Sequence, residues 1–322
     1  MGSFHGTPVL RSEAIEVENP YILTINNPED DISKINLALT ENKLILIRSS
    51  SFEEAGALFG ELVDHYGLRD SYDIQMQYVV TMMEARDPVD NVAVTVNKRG
   101  PYQIIQPHCE GDSTSQLDLF GLYCMQNAKS GGENILSLIN QTADHSRLRA
   151  KEKAIVDSGL SPKERNMLRG QHPDAKDVIT ECPSICRVLL EKERYRVIVR
   201  PVPIKSSRSV ITGENFITYW DNVTVHDHAF HRYHHSLLKH LGILHAELGT
   251  NYEAYMHVED DSSWAPADTD SGDIEQTSKL FTCHVLHKLE AGDFLVFNNR
   301  PWTHSVNNWP PDQVRKLNAM YA

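Results

Sequence analysis

Ile104-Ile105-Gln106-Pro107-His108-Cys109-Glu110 is the stretch on which the reading of this chain turns. A β-prone apolar run ends at a proline, and a histidine and a glutamate follow two residues apart. In extended backbone, residues i and i+2 project from one face, so His108 and Glu110 can offer an imidazole and a carboxylate to one point. Gln106 shares that parity and becomes a candidate lining residue. Far along the chain, Gly292-Asp293 turns into the apolar run Phe294-Leu295-Val296-Phe297, which leads through Asn299 and Arg300 to His304. Two imidazoles and one carboxylate on a single face can hold a divalent metal and leave its remaining positions open.

The 322 residues are enough for one large core, and 40% hydrophobic with 23% charged is ordinary globular composition. No apolar run approaches the ~20 residues that span a bilayer, and the N-terminus has neither the basic nor the apolar region of a secretory signal. A net charge of −13, from 44 acidic and 31 basic residues, argues against a nucleic-acid partner. The excess acid serves solubility or, alternatively, an acidic mouth that attracts a cationic substrate. Five cysteines (Cys109, Cys124, Cys182, Cys186, Cys283) are an odd, sparse set that fits ordinary thiols in a reducing cytoplasm.

Periodicity predicts a helix over 28–42 with Ile32, Ile35, Leu37 and Leu39 on one stripe, then a buried strand Leu44–Ile47. Ser51-Phe52-Glu53-Glu54 is a capping box that opens a second helix running to Gly67. Strands are expected at 77–83, 92–96, 117–125, 195–202, 216–220, 281–289, 294–297 and 317–321, with a Gly131-Gly132 turn and helices over 135–148 and 226–247. Residues 141–190 read as a helical insertion, with Ser161-Pro162-Lys163-Glu164 starting a short helix. The acidic, apolar-poor stretch 258–276 reads as a lid-like loop. No repeat or linker divides the chain, so one domain is the simplest account. Many short strands with flanking helices, and metal ligands from distant strands, favour a mainly β architecture: a β-barrel or jelly roll around a ligand site.

His108-Cys109-Glu110, the Gly131-Gly132 turn, Gly292-Asp293, His304 and Arg315, which follows His304 by 11 residues, occur in that order. In this, residues 100–322 resemble the taurine dioxygenase and clavaminate-synthase-like branch of the Fe(II)/2-oxoglutarate oxygenases. The resemblance implies a double-stranded β-helix (cupin-like) core. It implies that His108, Glu110 and His304 bind Fe(II), that Arg315 pairs with the distal carboxylate of 2-oxoglutarate, and that O2 is the oxidant. Asn134 occupies a place where the family often has threonine, and Ala319 stands where many relatives carry a second arginine. Glu110 is retained where the superfamily's halogenases have a small residue, so oxygenation is implied. The outcome would be hydroxylation, desaturation, ring formation or C–C cleavage of a small molecule. An amino acid or specialised-metabolite intermediate is the first expectation, and a sulfonate or aryloxy acid the second.

The densest histidine cluster is His226, His228, His231, His234 and His235. His231 and His235 share a helix face at i and i+4 and could bind Zn2+, but the cluster sits at a strand-to-helix junction with no arginine-bearing strand behind it. A polar helix start is the preferred reading. Asp221 suits a substrate amine or, equally, a turn. Arg300 could bind a substrate carboxylate or pack at the barrel mouth, and Trp302 and Trp309 read as core or rim. The competing class is a metal-dependent hydrolase or isomerase on a cupin barrel, which needs no guanidinium clamp at Arg315.

Overall fold

The structure is a computed structural model that describes residues 2–12, 20–26, 32–73, 87–89, 93–96, 104–111, 117–157, 159–172, 175, 177–179, 187–188, 197–224, 227–244 and 273–322. Two six-stranded sheets dominate. The first runs β1 (Gly2–Phe4), β2 (Thr7–Arg11), β15 (Phe281–His287), β8 (Asn134–Ile139), β17 (Trp302–Val306), β6 (Ile105–His108). The second runs β3 (Ile22–Ile25), β4 (Leu44–Ile47), β16 (Phe294–Asn298), β7 (Leu119–Gln126), β18 (Lys316–Tyr321), β5 (Val94–Thr95). From β6 to β8, and again from β15 to β18, consecutive strands alternate between the two sheets. Leu136, Val285 and Trp302 of the first sheet share one apolar cluster with Leu46, Phe120, Phe294 and Met320 of the second, so the main core lies between them.

Helix α1 (Ile32–Thr40) buries Ile35, Ala38 and Leu39, while Leu37 is 59% exposed, out of phase with the stripe expected of it. Helix α2 (Phe52–His65) begins at the expected capping box: Ser51 Oγ accepts from Glu54 N–H, and Ser51 N–H donates to Glu54 Oε2 at 2.6 Å. Two sequence expectations fail. Residues 135–148 are not helical, because Asn134–Ile139 form β8 between β15 and β17. A strand covered on both faces buries nearly every residue, and its apolar run then mimics a helical stripe.

The stretch 141–190 is not a helical insertion throughout. β9 (Arg149–Val156) pairs over seven residues with β12 (Val197–Pro203), and β10 (Asp177–Ile179) and β11 (Arg187–Val188) complete a smaller sheet. Helix α3 (Pro162–Gln171), capped by Ser161 and Glu164, is the helix described there. A short hairpin, β13 (Ser207–Arg208) with β14 (Asn215–Phe216), precedes α4 (Asp221–Thr224) and α5 (His228–His240). Helix α6 (Ile274–Ser278) leads into β15. The expected strand 77–83, the acidic stretch 258–272, Cys182, Cys186 and His226 lie outside the described residues. Among the described residues, no helix is long and apolar enough to cross a membrane.

Candidate metal and anion site

The strand pairing itself brings the two histidines together. In the antiparallel β6–β17 pair, His304 stands directly opposite His108. Their rings lie 4.3 Å apart between centroids. Glu110, just beyond β6, places Oε1 3.6 Å from His304 Nε2 and 4.0 Å from His108 Nε2. Among the described residues this is the one group of three or more His, Cys, Asp or Glu side chains close enough to share a metal ion. His108 Nδ1 lies 2.9 Å from the carbonyl oxygen of Gln106. That bond assigns the proton to Nδ1 and leaves Nε2 as the ligand atom. The His304 ring stacks on Phe120 at 4.5 Å and 22°, which fixes its plane.

Glu110 is held through its backbone by Asn299, a residue the sequence did not single out. Glu110 N–H donates to Asn299 Oδ1 (3.1 Å), while Asn299 Nδ2 donates to the carbonyls of Glu110 (2.9 Å) and Leu117 (3.0 Å). The only signal for it was a polar Asn298-Asn299 pair inside a run that is otherwise core, and both residues are fully buried. Arg300 next to it is not among the residues that line the cavity beside His108, Glu110 and His304. It is buried, donates to Asp118 Oδ2 at 2.7 Å and lies 5.3 Å from the Trp220 ring centroid. The Asp118 carboxylate pairs with the Arg300 guanidinium.

Gln106 is displaced from the lining by a bulge. β17 places one residue between His304 and Val306, whereas β6 places two between Ile105 and His108. The extra residue reverses the alternation, so Ile105 rather than Gln106 shares the cavity wall with His108. Pro107, which lacks a donor, is tolerated because β6 is an edge strand.

A cavity opens beside the side chains of His108, Glu110 and His304, with walls that include Val96, Ile105, Phe120, Leu122, Val306, Asn134 and Arg315. Arg315 precedes β18; its Nη2 donates to Asn134 Oδ1 at 2.9 Å, and its guanidinium lies 5.3 Å from the Trp309 ring centroid. Burial pushes its pKa down to about 10. Arg315 Nε and Asn134 Nδ2 are both buried without a hydrogen-bond partner. The Gly131-Gly132 turn permits this approach: Gly132 has φ +75°, and a Cβ there would meet Asn127 Oδ1 at 2.5 Å and Arg315 Cδ at 3.3 Å. Ala319 is buried in the core on β18 and offers no second cation.

Asp221 opens α4 and lies beside the cluster, with Oδ1 3.7 Å from His108 Nε2. His231 and His234 are buried on α5, and among the described residues none of the histidines at 226–235 joins a metal-holding group. Cys109, Cys124 and Cys283 are buried thiols, with burial raising the pKa of Cys124 to about 11 and of Cys283 to about 12.

No family model matches the chain, and no curated protein matches it. Solved structures similar to it include AAD-2 in complex with Mn(II) and N-oxalylglycine (9% identity over 95% of this chain and 94% of that one, TM-score 0.40). PvcB, an Fe, α-ketoglutarate dependent oxygenase from an isonitrile synthetic pathway, is another (9% identity over 98% of this chain and 89% of that one, TM-score 0.43).

Proposed function

We propose that this chain is an Fe(II)- and 2-oxoglutarate-dependent dioxygenase, built as a single domain on a double-stranded β-helix, that oxidises a C–H bond of a small molecule. The observation that carries this reading is the pair of orphaned buried donors, Arg315 Nε and Asn134 Nδ2, on two hydrogen-bonded side chains that line the same cavity as His108, Glu110 and His304. Two buried donors without partners cost stability unless a ligand's acceptor satisfies them. A dicarboxylate with one end at the metal and the other between these donors answers both requirements.

His108 and His304 would hold the ion through Nε2 and Glu110 through its carboxylate. Bound there with 2-oxoglutarate, Fe(II) supplies O2 activation coupled to decarboxylation of the keto acid to succinate and CO2. The protein's own contributions are positional. The Gln106 carbonyl sets the His108 tautomer, Asn299 clamps the Glu110 backbone, and Arg315 orients the distal carboxylate by charge. Asn134 Nδ2 takes the place of a second anchor, given Ala319. The apolar walls from Val96, Ile105, Leu122 and Val306 exclude water from the methylenes between the two ends. A metal-dependent hydrolase on the same ligands leaves the buried guanidinium without a task.

Anaerobic titration with Fe(II) and 2-oxoglutarate tests the reading. A weak visible charge-transfer band is expected on addition of the keto acid, and folded protein that never develops it would sink the proposal.

A further inference from the structure

The β6–β17 ladder ends at His108, yet the carboxylate of the ligand set comes two residues later. Among the described residues no strand pairs with Glu110. Its neighbour Cys109 makes one parallel bridge to Trp220, with its N–H donating to the Tyr219 carbonyl at 2.7 Å, and Gly111 follows at φ +92°. A ligand placed past the end of a strand needs another source of rigidity if it is to hold a metal in one geometry.

Asn299 supplies it. Its side-chain amide meets both backbone polar groups of Glu110: Oδ1 accepts from the N–H at 3.1 Å, and Nδ2 donates to the carbonyl at 2.9 Å. That is the pair of bonds one residue of an antiparallel partner strand would offer. The same Nδ2 donates to the Leu117 carbonyl at 3.0 Å. One donor and two acceptors around the amide allow a single orientation, because the flipped form would set N–H against N–H and oxygen against two carbonyls.

The clamp is itself anchored. Asn299 is fully buried directly after β16, and its N–H donates to the Asp118 carbonyl at 2.7 Å. Asp118 Oδ2 also holds the guanidinium of Arg300 at 2.7 Å, and that guanidinium lies 5.3 Å from the ring centroid of Trp220, the bridge partner of Cys109. Adjacent residues thus brace the ligand segment at two points, Asn299 at Glu110 and Arg300 at Trp220.

We propose that Asn299 is the positioning residue of the metal centre: its amide stands in for the missing strand and presets Glu110 as a ligand before any ion arrives, so that metal affinity depends on it. This rests on the metal-binding part of the dioxygenase reading above. It makes the metal end of the cavity independent of the Arg315–Asn134 end.

The test measures Mn(II) affinity of the full chain from the electron paramagnetic resonance signal of the free ion. Asn299→Ala should raise the Mn(II) Kd about 10- to 100-fold, the effect of losing a group that orients a ligand. Asn299→Ser, which keeps a hydroxyl for one of the three bonds, should fall between it and the parent. On a Glu110→Ala background the same Asn299→Ala change should add less than about twofold, because a residue that acts through Glu110 then has nothing to position. A full effect on that background overturns the inference. So does an unchanged Kd in a folded Asn299→Ala protein whose melting temperature alone falls, and both outcomes leave the dioxygenase reading standing. The unaltered chain gives a check that survives a variant's failure to fold. In the metal-free protein the Glu110 amide should exchange at least about tenfold more slowly than an unprotected amide, and exchange at the unprotected rate overturns the inference as well. A parent that binds no Mn(II) defeats the metal-centre reading itself, and this inference falls with it.

Discussion

His108 and His304 stand opposite one another on paired strands with Glu110 between them, beside an open cavity. His284, only three strands away across the same sheet, is fully buried, its Nδ1 against Ser137 Oγ and its Nε2 against Tyr233 OH, both at 2.7 Å. His287 on the same strand contacts the Ser12 hydroxyl, and His234 on α5 is fully buried as well. The first pair meets a carboxylate at a shared apex beside a cavity; His284 meets two hydroxyls, and His287, although its Nε2 lies 3.8 Å from Asp293 Oδ2, belongs among the described residues to no group of three side chains that could hold a metal. Density of histidine is therefore a poor guide to a metal centre, and what decides is which imidazole nitrogens point at a common void with an acid beside them.

Removing the acid is the strongest way to break the contrast. Glu110→Ala should abolish Fe(II)-dependent turnover, and activity like the parent's would show that another carboxylate binds the metal. Acid separates the two groups next. Burial lowers the pKa of His234 and His284 to about 3, so the unfolded chain takes up protons that the folded chain refuses. Stability contributed by these neutral rings is complete above the unfolded value near 6.5 and is lost as pH falls toward 3. By pH 5 each should cost about 2 kcal/mol. Denaturant melts between pH 7 and pH 5 measure this, and a flat profile would contradict it. Replacing His284 with an uncharged residue of similar size should reduce the slope.

On the cavity side, Arg315→Leu should weaken 2-oxoglutarate binding by ~2–4 kcal/mol, the loss expected when one partner of a desolvated charge pair is removed. Asn134→Ala is the mildest change, about 1 kcal/mol in keto-acid affinity, the worth of one hydrogen bond. If it costs as much as Arg315→Leu, Asn134 acts chiefly by orienting the guanidinium.

The grouping of His108, Glu110 and His304 was legible because short-range rules carry it: parity along an extended strand joins His108 to Glu110, and a turn followed by an apolar strand announces His304. Capping boxes at Ser51 and Ser161 were legible for the same reason. What escaped was set by partners distant in sequence. β8 looked helical because both its faces are buried, Leu136 in one apolar cluster and Ile135 and Ile139 in another. Gln106 was expected in the cavity because a one-residue bulge leaves no local mark, and the pairing of Arg300 with Asp118 joins residues 182 apart in sequence. The three N-terminal strands went unread because each is completed by a strand from elsewhere in the fold or by a short neighbour.

Placing one ligand on the outermost strand of a sheet and another on its inner neighbour has a mechanical result. Among the described residues β6 has a strand partner on one side only, β17, so an ion held by His108 and His304 would rivet the sheet's margin to its interior. Chelation should then loosen that border first, seen as faster amide exchange over residues 105–108 than over β8, and excess metal should raise the melting temperature in step with its concentration.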